Sequence, residues 1–283
     1  MKNQVYIQGS DKLNVQQSSI LVKSFLHAGI GFFTIAAFSL VLGVLWVWIF
    51  KKYCGLTEEW WENEEIVNKL LTMIVAILCT AIGLMIFSLI LYYIWRFRIY
   101  DRSLGFNITV WTFYIISQSV GFSIVVSLFS AQFMVYVFGI GAIICFIVSL
   151  IGWYTSKKAA MTLTKISIFT LIISFLAAIA LFCATIIMVI NNKTWTAQTI
   201  INILYFGIGA VFTLLTMIAI IVQISNFKRS NEFSNISQLS QSHPNMTRQM
   251  ISLFSMELLI KYIMLVWLLL RFAIALRSLR FKK

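Results

Sequence analysis

The sequence predicts an all-α membrane protein, a bundle of seven transmembrane helices. Three observations carry that expectation. Of the 283 residues, 60% are hydrophobic and 11% charged, whereas about a quarter of a soluble domain is charged. The apolar residues fall into seven continuous runs, each long enough for about 30 Å of hydrocarbon. The runs lack the period-two alternation of barrel strands, and a single proline and 13 glycines leave them uninterrupted, so helices are the expected spanning element.

Residues 1–20 are polar and read as a short, loosely ordered tail ahead of a single transmembrane domain over 21–276. The first run, 21–50, exceeds the roughly 7–15-residue core of a cleavable signal peptide and lacks a small-residue cleavage site, so it is expected to be retained. His27 near its start reads as an interfacial or packing residue. Glu58, Glu59, Glu62, Glu64 and Glu65 then surround Trp60 and Trp61. The tryptophans fit an interfacial belt, and the carboxylates read as solvated charge, with a weak divalent-cation patch as the sharper alternative.

The second run, 66–95, ends in the basic turn WRFRIYDR, and the third, 106–129, carries Ser119, Ser123 and Ser127 at i,i+4 spacing. Such a stripe serves close helix packing or, in a sharper reading, a polar pathway. A break near Ser130–Gln132 leads to the fourth run, 133–154, where Gly141, Cys145 and Ser149 mark a second close-packing face. After the turn TSKK come the fifth run, 163–190, and the sixth, 199–227, which holds Gly209 and, near its end, Gln223. A polar stretch, 228–249, reads as a surface loop. The seventh run, 251–276, precedes a basic tail, 277–283.

That seventh run carries Glu257 and Lys261. At i,i+4 they share a helical face, acid first, the favourable order for an ion pair. Left unpaired near a bilayer centre, each would cost about 2.5–3.5 kcal/mol. The segment is therefore expected inside the bundle, with the two residues either as a structural bridge or in a polar pathway.

Twelve bases fall in the loops that are inside if the N-terminus is inside, against four in the outer loops, which predicts a cytoplasmic N-terminus. Arg277, Arg280, Lys282 and Lys283 would then emerge outside. Either the bundle inserts the last helix against its charges, or one run is re-entrant. The net charge of +13 is topological and lipid-facing, with no nucleic-acid partner expected. Cys79, Cys145 and Cys183 lie in apolar runs and read as buried packing residues, leaving Cys54 as the candidate reactive thiol. No His/Cys ligand set, Ser-His-Asp arrangement or phosphate loop occurs, so neither an enzyme, a cofactor nor a metal site is expected.

Several stretches together resemble the Bax inhibitor-1 family of small multi-span proteins. They are LVKSFLHAGIGFFTIAAFSLVLG (Leu21 to Gly43), YIISQSVGFSIVVSLF (Tyr114 to Phe129), IGWYTSKK (Ile151 to Lys158), VQISNFKR (Val222 to Arg229) and ISLFSMELLIKYIMLVWLLLRF from Ile251. The resemblance implies a seven-helix bundle with the last helix near its centre. It implies either a pH-sensitive calcium leak or a modulator of stress and proteolysis.

The family's proton-sensing aspartates lie one late in the sixth helix and one in the seventh. Here the first position falls at Val222 or Gln223 and the second at Lys261 or Glu257. Two close carboxylates cannot both ionise cheaply, so one takes a proton near physiological pH. Glu257 beside Lys261 lacks that property, so gating should respond weakly to pH between about 6 and 8. Two functions are thus expected. One is a calcium or other cation leak in the plasma (cell) membrane, with Glu257, Lys261 and Gln223 in its pathway. The other is a non-conducting regulator that binds a membrane protein such as a protease.

Overall fold

The computed structural model describes residues 15–54, 64–97, 104–190, 195–227 and 244–280. Its helices are α1 (Val15–Cys54), α2 (Glu64–Phe97), α3 (Leu104–Phe129), α4 (Ala131–Tyr154), α5 (Lys157–Ile190), α6 (Trp195–Phe227) and α7 (Pro244–Arg280). All seven are long and apolar enough to cross a membrane, and no strand occurs among the described residues. The chain is an integral membrane protein of the class its sequence predicts.

The helices outrun their apolar runs because their ends are set by caps rather than by hydropathy. Pro244 opens α7 seven residues before the apolar run begins. Proline suits a first helical position, where its missing N–H forfeits no bond. The last residues of the polar stretch 228–249 are therefore helical, and 228–243 lie outside the described residues. The turn between α4 and α5 is reduced to Thr155 and Ser156, with Lys157 and Lys158 in the first turn of α5. Ser156 Oγ accepts the Ala159 amide at 3.3 Å. Between α3 and α4 the break is Ser130 alone, at φ 149°, ψ 154°, with its Oγ accepting the Phe133 amide at 3.2 Å.

Paired contacts fix the direction of the helices. Ser119 reaches the Ile35 carbonyl and Ser123 accepts from Trp46, so α3 runs parallel to α1. Trp111 donates to Ser252 and Trp267 to Gln118, so α7 runs parallel to α3. Phe87 meets Phe113 while Trp95 donates to Asn107, so α2 is antiparallel to α3. Ser149 bonds Tyr262 while Gly141 faces Val266, so α4 is antiparallel to α7.

α7 is the most buried span, with 56% of its apolar window inside the bundle against 50% for α3, 11% for α2 and 6% for α5. It packs against α1, α3, α4 and α6, while α2 lies mainly on α3 and α5 on α6. The outer helices expose apolar side chains such as Ile86, Phe169 and Phe175, as helices bathed in hydrocarbon should. Lipid tails are as apolar as leucine, so close fit rather than hydrophobicity holds such helices together. At the centre Trp267 stacks on Phe122 at 4.1 Å, and Phe138 meets Phe122 and Phe32 edge-on. A Cβ on Gly43 would run into Val126 and stand 3.1 Å from the Ser123 carbonyl oxygen, which is how closely α1 approaches α3.

Candidate functional site

α6 ends and α7 begins at one end of the bundle, where Phe227 stacks on Phe254 at 3.5 Å. Gln223 lies one turn back from the end of α6, Arg96 is the penultimate residue of α2, and Glu257 and Lys261 lie on successive turns of α7. These four side chains form one network. Arg96 Nη2 is 3.2 Å from Glu257 Oε1. Gln223 Nε2 donates to Glu257 Oε2 at 2.7 Å, and Gln223 Oε1 accepts from Lys261 Nζ.

The expected intrahelical bridge is thus replaced by a relay. Glu257 and Lys261 make no direct ion pair, although they share a face. The Gln223 amide enters between them from α6 and offers a donor to the acid and an acceptor to the base. Only this amide orientation satisfies both neighbours, and both bonds are charge-assisted. With Arg96 added, one carboxylate faces two cations. The cluster opens on its α2 side, where the Arg96 side chain is 50% exposed and Glu257 20%.

In the sequence Arg96 is one of several bases at a helix end, within the basic turn WRFRIYDR. The available signal was its place: the end of α2 lies level with the end of α6 and the start of α7, so its long side chain can reach the one acid of the last span.

The serine stripe faces α1. Ser119 is buried with its Oγ 3.5 Å from the Ile35 carbonyl, Ser123 accepts from Trp46 Nε1 at 3.1 Å, and Ser127 returns its proton to Ile124 at 2.7 Å. The first two bonds join α3 to α1, and the third stays within α3. Gly141 and Gly209 both face α7: a Cβ on the first would stand 2.8 Å from Val266, and one on the second 3.9 Å from Phe272. None of these five residues touches the charged network.

Cys145 is buried as expected, but Cys79 and Cys183 lie on the outer surface. Cys54, the candidate reactive thiol, ends α1 and is buried with Sγ 3.5 Å from Met73 Sδ. Of the acidic cluster, Glu64 and Glu65 open α2, with Glu65 paired to Lys69 at 2.6 Å. Glu58, Glu59 and Glu62 lie outside the described residues. No group of three or more His, Cys, Asp or Glu able to hold a metal ion occurs among the described residues.

Fold and site together define an all-helical, polytopic membrane protein with a charged network joining three of its helices. No family model, no curated protein and no solved structure matches the chain.

Proposed function

We propose that the Arg96–Glu257–Gln223–Lys261 network is a latch across an ion pathway, and that the chain is a cation leak of the kind its resemblance to Bax inhibitor-1 proteins implies. The observation that supports this reading is the shared carboxylate. Glu257, on the central helix, is held at one oxygen by α2 and at the other by α6. Separating either helix from α7 would free a carboxylate oxygen that already has partial access from outside the bundle. The family's sixth-helix acid position falls at Val222 or Gln223, neither of which titrates, so the acid response is weakened.

The test is calcium flux into vesicles reconstituted with the full chain. Arg96→Gln should raise the flux by loosening the latch, and Glu257→Gln should change it by removing the charge. Wild-type and variant flux identical to that of empty vesicles would remove the channel reading.

A second reading has its own support. Two cations around one carboxylate leave the network with surplus positive charge, unfavourable for a passing cation. That balance suits a non-conducting regulator, in which the network only fixes the helices and the chain acts on another membrane protein. Crosslinking in the native membrane that yields a reproducible partner, with no flux in vesicles, would favour it.

A further inference from the structure

We propose that the groove between α1, α3 and α7 binds an anionic lipid, with the headgroup on Arg248 and the acyl chain along Ile108 and Ile30. The groove measures about 480 Å³, within the roughly 300–1,000 Å³ of small-ligand sites. Its floor is formed where Gly31 meets Trp111, with a Cβ there only 3.0 Å from the indole.

Besides the hydroxyls of Thr34, Thr112 and Ser252, the polar groups along it are nitrogen donors. Arg248 and His27 line it and supply N–H donors, and no carboxylate does. Arg248 makes no ion pair with a carboxylate among the described residues. A third donor is stranded: Asn107, only 2% exposed, accepts from Trp95 Nε1 through Oδ1, while its Nδ2 has no partner. An unmet buried N–H is costly, and an oxyanion is the acceptor that a guanidinium and an amide both favour.

Apart from those hydroxyls the rest of the lining is apolar, and it opens to the surroundings of the bundle, with Ile30 56% and Ile108 58% exposed. Height decides between a free anion and a lipid. Arg248 lies about one turn into α7 and Ile115 two turns further into α3 than Asn107. Arg248 and Asn107 therefore sit near the ends of their helices, and the mostly apolar walls run inward from them. Basic pockets between transmembrane helices at this level suit anionic headgroups.

The experiment is native mass spectrometry of the full chain, purified in neutral detergent and titrated with phosphatidylglycerol, phosphatidylcholine or inorganic phosphate. Phosphatidylglycerol should be retained in preference to phosphatidylcholine. Arg248→Gln, at an exposed position, should weaken that retention about tenfold or more, the loss of a charge-assisted bond. Ile108→Trp, which fills the groove, should abolish it. If that variant fails to enter the membrane, Ile30→Trp blocks the groove from its α1 wall. Equal retention of the two lipids, or retention unmoved by Arg248→Gln, overturns the proposal. Phosphate binding that survives Ile108→Trp would assign the donors to a free anion, and a lipid-free dimer lost on Ile108→Trp would assign the groove to a second copy of the chain. Either result would also overturn it.

Discussion

A glutamine placed between an acid and a base changes what the loss of each one costs. Gln223→Leu would leave Lys261 without its acceptor and Glu257 with Arg96 alone. Half-satisfied buried charges of this kind cost about 1–3 kcal/mol or more. Lys261→Met removes the least compensated charge and leaves Glu257 with both partners, and an apolar replacement of a buried charge is often neutral or stabilising. Thermal unfolding in detergent should therefore rank Gln223→Leu well below wild type and Lys261→Met near or above it. The reverse ranking would mean that Glu257 depends on Lys261 directly. Ser130 poses a different residue-scale question. Its φ of 149° with ψ of 154° is a conformation essentially reserved for glycine, with a strain of about 1–3 kcal/mol. Its hydroxyl also caps α4. Ser130→Gly relieves the strain, and glycine caps nearly as well, so stability should rise by about 1 kcal/mol. Ser130→Ala keeps the strain and loses the cap, and should lose about 1 kcal/mol. Alanine proving the more stable of the two would contradict the strained backbone.

At the scale of the element, the interface between α1 and α3 explains why small residues recur where the chain offers no other sign of importance. Gly43 meets the branched Val126 and the Ser123 carbonyl, neither of which can swing aside. Gly43→Ala should therefore push the two helices apart and cost about 1–3 kcal/mol, the usual range for overpacking. Val126→Ala should recover much of that loss when combined with it, a coupling that a double-mutant cycle measures. Additive losses would mean that the helices do not meet there. Gly121 makes the useful contrast. A Cβ there would collide with the terminal methyl of Met85, the far end of a flexible side chain, and stand 3.3 Å from the Trp267 ring, so alanine at that position should cost less than at Gly43.

For the whole molecule, the seven spans were legible because hydrocarbon leaves a chain little choice. Backbone groups must be paired within the segment, and that demands long, continuous apolar helices. Their ends were less legible, since Pro244, Ser156 and Ser130 act by capping geometry beyond the apolar runs. In the site, Glu257 and Lys261 stood out as charges in an apolar run. Gln223 was marked by its place late in the sixth run. Arg96 was not, because a cation at a helix end is ordinary and only packing brings it to the acid. The same packing bears on the side reached by the C-terminus. The basic tail argues for return to the side of the N-terminus, and the bundle argues the opposite. α1, α3 and α7 run parallel, and α2 and α4 run against them. Glu257 and Lys261 need partners from α2 and α6 at the end where α7 begins. Reversing α7 would carry both away from those partners, at about 2.5–3.5 kcal/mol for each charge left unmet. Seven crossings then put the end of α7 on the face opposite the α4–α5 turn. With the four native cysteines replaced, cysteines introduced at Lys157 and Ser278 should react with a membrane-impermeant maleimide from opposite sides of sealed vesicles. Labelling of both from one side would mean that a run turns back within the membrane, and that the network is held together by a different topology.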